Sequence, residues 1–186
     1  MDSSYMEGLA AELSNNGVRV VRFEFEYMAE RRLTGRKRPP QAQAKLLKQW
    51  SDHIDHWLTQ TDRLFIGGKS LGGRMASLVA AERVDIRGCL CFGYPFHPPG
   101  RPERWRTDHF DQLKVPVWIG QGERDPFGKR DEVEAVAEHW KGNPELSWIT
   151  AGDHDYKPTK ASGLSQAENL AHAAREARRF IQSVSG

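Results

Sequence analysis

The sequence predicts an α/β fold in which helices cover both faces of a mostly parallel sheet. The distribution of apolar residues along the chain predicts it. Short apolar segments alternate along the chain with longer segments whose apolar residues recur at helical spacing. The length of 186 residues suits one domain, and neither a repeat nor a linker divides the chain. We therefore expect residues 1–186 to form a single unit.

The first part of the chain is predicted to alternate helix, strand, loop and helix. A helix begins near Ser4, where Ser4-Tyr5-Met6-Glu7 has the capping-box pattern, and ends at Asn16-Gly17. Residues 18–25 are predicted to form a strand, and the basic stretch 31–38 a loop. The apolar stripe of a second helix follows, formed by Leu46, Leu47, Trp50, Ile54, Trp57 and Leu58.

Four more strands are predicted, at residues 64–66, 86–94, 115–120 and 146–150, and helical patterns follow each of them except the second. The second strand is instead followed by a connection, residues 95–114, that is rich in Pro and Arg. This connection is too short for a separate cap domain, and we expect it to roof the functional site. The helices carry the apolar residues Met75, Leu78 and Val79, then Val133, Val136, Ala137 and Trp140, and finally Leu170, Ala174, Ala177 and Ile181.

The overall composition limits the classes of function. The 27 Lys and Arg residues nearly balance 25 Asp and Glu residues, which gives no support for binding nucleic acid or an acidic membrane. No apolar run approaches the roughly 20 residues of a membrane span, and no signal peptide is recognisable. Cys89 and Cys91 would share one face of a strand, where we expect two buried free thiols. The sequence therefore predicts a cytoplasmic protein.

The clearest functional motif is the G-x-S-x-G pattern of residues 68–72, which lies between a predicted strand and a predicted helix. Glycine is needed on both sides because the turn is strained and the neighbouring backbone leaves no room for a Cβ. Such a turn lifts the hydroxyl of Ser70 clear of the sheet, and the helix behind it favours developing negative charge. We predict Ser70 as a nucleophile and the backbone amide of Leu71 as an oxyanion donor.

An acid and a histidine follow Ser70 in the order that such a site requires. Asp125 comes just after the strand at 115–120, and His154 just after the strand at 146–150. Both loops leave the carboxyl ends of strands, where open α/β sheets bind ligands. We predict that His154 takes the proton of Ser70 and that Asp125 orients the imidazole. Glu123 and Asp153 are alternative carboxylates, and each residue alone could also be an ordinary loop residue.

Four further residues are candidate substrate contacts. Lys69 precedes the nucleophile, although it could equally be a satisfied loop side chain. Tyr94 ends the predicted strand at 86–94, and Phe96 and His97 lie at the start of the 95–114 connection, which could also be a plain surface connection. The basic stretch 31–38 lacks the interleaved aromatic residues that stack on bases, which favours a solvated loop. Neither metal-ligand spacing nor a phosphate-binding loop occurs, so no metal and no cofactor is predicted.

Several motifs together resemble a known family. They are RFEFEYM at residues 22–28, GGKSLGGRMAS at 67–77, GYPFHPPG at 93–100, QGERDPFG at 121–128 and GDH at 152–154. The sequence resembles the α/β-hydrolase family of bacterial dienelactone-hydrolase-like proteins, the testis-expressed hydrolase-like protein and the hydrolase-like region of a chromatin-complex (non-specific lethal) subunit. The resemblance covers nearly the whole chain and implies a minimal, capless α/β-hydrolase fold.

The sequence departs from this family in two ways. Dienelactone hydrolases proper use a cysteine nucleophile where Ser70 stands, so their reaction is not expected here. Relatives also begin with an apolar strand and a His-Gly-type loop, which supplies a second oxyanion amide, before the residues that match Met1-Asp2-Ser3. The resemblance therefore implies that the N-terminal strand is missing and that Met1 is an internal methionine.

Two functions from different classes remain open. The first is a serine hydrolase that cleaves an ester, thioester or related acyl bond of a small molecule through an acyl-enzyme on Ser70. The second is a catalytically weak interaction module that keeps the fold, as some relatives do. The ordered set of Ser70, Asp125 and His154 favours the enzyme, and the missing oxyanion loop favours the module. Neither the substrate nor the oligomeric state is predicted.

Overall fold

The computed structural model describes residues 3–36 and 39–185. Within these ranges, four strands form one fully parallel sheet, and their order in space is their order in the chain. They are β1 (Phe65–Lys69), β2 (Gly88–Phe92), β3 (Val117–Gly122) and β4 (Glu145–Ile149). The predicted strands at 64–66, 86–94, 115–120 and 146–150 are thereby confirmed, with ends that differ by a few residues.

Helices cover both faces of the sheet. They are α1 (Ser4–Asn15), α2 (Glu26–Thr34), α3 (Gln43–Leu58), α4 (Leu71–Ala80), α5 (Arg130–Ala137) and α6 (Gln166–Ser185). Helices α1 and α6 pack together on one face, whereas α3 and α4 pack together on the other. This arrangement confirms the predicted α/β fold class. None of the helices in the described ranges is long and apolar enough to cross a membrane.

The central strand β2 contributes to the cores on both faces of the sheet. Cys89 and Cys91 point into the core that α3 and α4 cover, while Leu90 and Phe92 point into the core under α1 and α6. Such alternation follows from the period of two in a strand, and a strand buried on both faces has no polar side. The two thiols are free and buried, with their Sγ atoms 3.8 Å apart, as predicted.

The segment between α1 and α3 differs from the prediction. Residues 18–25 are not part of a strand, because no other strand of the described chain pairs with them. Helix α2 follows in place of part of the predicted basic loop, with Arg31 and Arg32 in its last turn and Gly35 ending it at φ 69°. Lys37 and Arg38 of that loop lie outside the described residues. The N-cap of α1 is Ser3, whose hydroxyl accepts the Met6 amide, rather than Ser4.

A groove runs beside β1, whose outer edge has no partner strand among the described residues. Its volume is about 940 Å³, and it lies between β1 and residues 18–25. The lining is mostly apolar and includes Phe23, Trp50 and Ile66, and one end of the groove reaches Ser70. The carboxyl end of the sheet is therefore accessible from this side.

Candidate active site

Ser70 lies in a tight turn between β1 and α4. Its backbone has φ 51° and ψ −119°, a strained conformation for a residue with a side chain. A Cβ on Gly68 would lie 2.8 Å from the carbonyl carbon of Gly72, so the turn requires this glycine as predicted. The same prediction is wrong for Gly72, where a Cβ would meet nothing within 4 Å, and it is Gly73 whose Cβ would lie 2.6 Å from the oxygen of Gly68. The Ser70 amide also donates to the carbonyl of Phe92 at 3.1 Å, which fixes the turn to β2.

The structure brings the three predicted residues into one hydrogen-bonded chain. Nε2 of His154 lies 2.9 Å from Oγ of Ser70, and Nδ1 of His154 lies 2.7 Å from Oδ2 of Asp125. Because an ionised carboxylate only accepts, Nδ1 carries the proton and Nε2 is left to accept from the hydroxyl. The side chain of Asp125 is fully buried, while that of His154 is 18% exposed. This arrangement can move a proton from the hydroxyl to the imidazole.

Gln121 orients the acid, and sequence reasoning did not single it out. Its Nε2 donates to Oδ2 of Asp125 at 3.0 Å, and its Oε1 accepts the backbone amide of Tyr94 at 2.7 Å. The amide of Phe127 donates to the other oxygen of Asp125 at 2.9 Å. Gln121 is completely buried in an otherwise apolar strand, and this isolated polar residue was the available signal.

The two alternative carboxylates have other partners. Glu123 accepts the amide of Ala151 at 2.8 Å and pairs with Arg130 at 3.0 Å. Asp153 accepts the amides of the two residues that follow His154 by one and three positions, at 2.8 and 2.9 Å. Both side chains therefore shape loops around the site, and Asp125 is the carboxylate that reaches His154.

Lys69 connects the two loops that carry Ser70 and His154. Its Nζ lies 2.6 Å from Oδ1 of Asp155 and 4.9 Å from the centre of the Tyr5 ring. The hydrogen bond from Lys69 lowers the pKa of the Asp155 carboxyl. Lys69 also lines the end of the groove near Ser70. Its ammonium group is thus engaged in holding the loop after β4 against the nucleophile turn.

Three of the predicted contact residues, Tyr94, Phe96 and His97, pack beneath or within the roof, residues 95–114. The Tyr94 hydroxyl donates to the carbonyl of Arg106 at 2.9 Å, and burial raises the pKa of this phenol. Phe96 stacks on Trp140 with 5.6 Å between ring centres. His97 is buried, with Nε2 3.3 Å from Glu132. None of the three is among the residues that line the groove beside β1. Each has a packing contact within the fold, and its contact with a substrate stays a prediction.

The backbone amide of Leu71 lies where an oxyanion donor is expected. Leu71 is the first residue of α4, so its N–H has no acceptor within the helix, and it directly follows Ser70. The positive end of the helix dipole adds to the favourable potential there. Among the described residues, no cluster of three or more His, Cys, Asp or Glu side chains could hold a metal ion.

Comparisons with known proteins agree with this fold. The profile of a family described as "Alpha/beta hydrolase domain" matches residues 1–182. A protein of unknown function from Agrobacterium tumefaciens has a TM-score of 0.71 at 15% identity, over 98% of this chain and 79% of that chain. Est1E from Butyrivibrio proteoclasticus, with ferulic acid bound, has a TM-score of 0.64 at 17% identity, over 98% and 84% of the two chains.

A third solved structure is a Klebsiella pneumoniae protein assigned as a dienelactone hydrolase. It has a TM-score of 0.55 at 19% identity, over 75% of this chain and 61% of that chain. At these identities the likenesses to solved structures show a shared fold.

Proposed function

This chain belongs to the alpha/beta hydrolase domain family, and on that premise we propose that it is a serine hydrolase. The bond cleaved is an ester, thioester or related acyl bond of a small molecule, and the intermediate is an acyl-enzyme on Ser70. The observation that carries the proposal is the chain of two hydrogen bonds, 2.9 and 2.7 Å long, that joins Ser70 to His154 and His154 to Asp125.

The reaction follows from these contacts in two half-reactions. The Ser70 oxygen attacks the carbonyl carbon while its proton passes to Nε2 of His154, and Asp125 stabilises the imidazolium that forms. The Leu71 amide donates to the oxyanion of the tetrahedral intermediate. Collapse expels an alcohol or thiol, which takes the proton from His154. Water then attacks the acyl-enzyme while His154 takes a proton from it, and His154 passes that proton to the Ser70 oxygen as the carboxylic acid leaves.

Labelling with a fluorophosphonate tests the proposal directly, because this reagent phosphonylates only an activated serine. We expect one adduct, on Ser70, and its rate should fall by about a thousandfold or more in His154→Ala and Asp125→Asn. His139→Ala is the matched control, since that histidine is exposed and outside the site. Feruloyl and 4-nitrophenyl esters are suitable first substrates.

The competing function is an interaction module that keeps the fold without catalysis. Its expected result is a folded protein, with a cooperative unfolding transition, that takes up no fluorophosphonate on Ser70. An adduct that forms equally well in His154→Ala would also contradict the proposed mechanism.

A further inference from the structure

One side of α4 is covered by the roof. Ser77 and Arg74 are three residues apart and therefore lie on the same side of this helix. Oγ of Ser77 is 2.8 Å from Nε2 of His109, a roof residue, and it also donates to the carbonyl of Arg74 at 2.8 Å. The Arg74 side chain thus emerges on the helix side that faces the roof.

Arg74 is one helical turn from the nucleophile. Its amide donates to the carbonyl of Ser70 at 2.9 Å, and one turn advances about 5.4 Å along a helix. Long side chains on helices lean back toward the N-terminus, which is the direction of Ser70 here. Nε of Arg74 is buried and has no hydrogen-bond partner in the part of the chain that the structure describes. Such an unsatisfied, charged donor is costly unless a ligand accepts from it.

A second arginine comes from the roof. The backbone of Arg106 is held on both sides, since its amide donates to Phe96 at 2.8 Å and its carbonyl accepts the Tyr94 hydroxyl. Its side chain is half-buried. Burial, together with the nearby charge of Arg74, lowers the pKa of Arg106. The charge of Arg74 therefore acts on Arg106 across the space between α4 and the roof.

No acidic side chain in residues 3–36 and 39–185 forms an ion pair with either Arg74 or Arg106. Arg83, by contrast, is a partly buried arginine of the same chain, and it pairs with both Asp55 and Asp85. Two partly buried cations without a counter-ion are destabilising, and an anion placed between them would reverse that effect. Guanidinium groups bind carboxylate and phosphate through paired hydrogen bonds.

We propose that Arg74 and Arg106 form a subsite for an anionic group, carboxylate or phosphate, on the substrate whose acyl bond Ser70 attacks. The inference rests on the proposed hydrolase function and adds the substrate class. An anion held one helical turn from Ser70 lies a few bonds from the scissile carbonyl, so the substrate is a short ester or thioester that carries its own negative charge.

A pair of esters that differ in charge tests the subsite through the reaction. 4-Nitrophenyl hydrogen succinate carries a carboxylate, and 4-nitrophenyl butyrate is a neutral ester of similar length. We expect Arg74→Gln and Arg106→Gln to lower kcat/KM for the charged ester about tenfold to a hundredfold more than for the neutral one. Arg74→Lys should recover part of the loss, because it keeps the charge. Arg101→Gln, at an exposed roof position, is the matched control. Equal losses on both esters would overturn the proposal.

Ligand binding tests the subsite without catalysis. Succinate and inorganic phosphate are titrated by calorimetry into Ser70→Ala, with and without Arg74→Gln. We expect the affinity to fall about tenfold or more in the variant that carries both Ser70→Ala and Arg74→Gln. The anion that binds with the higher affinity, succinate or phosphate, identifies the chemical class of the group. Binding that Arg74→Gln leaves unchanged, or an absence of binding by both anions, would overturn the subsite. A failure of fluorophosphonate labelling with intact anion binding would overturn only the hydrolase function.

Discussion

The partial burial of His109 predicts a specific loss of stability in acid. Burial, with a further contribution from the charge of Arg74, lowers the pKa of His109 from 6.5 to about 4. The unfolded chain therefore binds a proton at this residue as the pH falls through 6.5, whereas the folded chain does not until about pH 4. The His109 contribution is fully present above pH 6.5 and is lost as the pH falls toward 4.

The magnitude follows from the two pKa values. If the whole pKa shift is effective, the unfolding free energy at about pH 5 is about 2 kcal/mol lower than its value above pH 6.5. Because the His109 side chain is partly exposed, solvent screening reduces this figure to about 1–2 kcal/mol.

Urea unfolding followed by tryptophan fluorescence measures the effect. The free energy of unfolding is compared at about pH 8 and about pH 5 for the natural chain and for His109→Gln, whose amide does not titrate. We expect the natural chain to lose about 1–2 kcal/mol more than the variant over this interval. All other ionisable groups are the same in the two proteins, so their contributions cancel in the difference. Equal losses in the two proteins would refute the reasoning.

Three further predictions concern the loops around the site. Gly122→Ala should destabilise the protein by about 1–3 kcal/mol in urea and slow labelling of Ser70, because the new Cβ would lie 2.4 Å from a carbonyl oxygen of the loop after β4; full activity would contradict it. Tyr156→Phe should lower the unfolding free energy by about 1–3 kcal/mol, since its buried hydroxyl donates to Gly120 at 2.7 Å; an unchanged thermal midpoint would refute this. Asp155→Asn, which removes the ion pair with Lys69, should cost less than about 1 kcal/mol of stability yet slow the labelling about threefold or more. Equal labelling rates would argue against a positioning role for that pair.

The parts of the fold that the sequence predicted are those with strong periodic patterns. β2 and β3 are wholly buried and read as apolar runs, and α3 and α6 carry a continuous apolar stripe. Helix α2 was missed because none of its residues is buried, so no apolar stripe marks it. Residues 18–25 alternate apolar and charged side chains as a strand does, but a strand also needs a partner, which a local pattern does not reveal.

The residues of the candidate site also include some that the sequence predicts and some that it does not. Ser70, Asp125 and His154 could be predicted because their order along the chain and their places after strands follow from the chemistry. Gln121 stands out in the sequence only as a polar residue in an apolar strand. Its role could not be predicted, because its partners lie in two loops that meet only in the folded protein. Tyr94 was predicted near the substrate from its position alone, and the contact that gives it a packing role, with the Arg106 carbonyl, lies within the folded roof.

The width of the sheet has a consequence for how the protein folds. Ser70 follows β1 and His154 follows β4, which are the two outer strands, and these residues lie 84 positions apart in the chain. A two-residue shift in register between any pair of neighbouring strands would displace Ser70 from His154 by about 6.6 Å along the strand direction. Because parallel pairings of distant segments form late, the hydroxyl should gain its reactivity only after all four strands are in register. During refolding, recovery of Ser70 labelling should therefore trail the return of helical signal, and its rate would report the final step of sheet assembly.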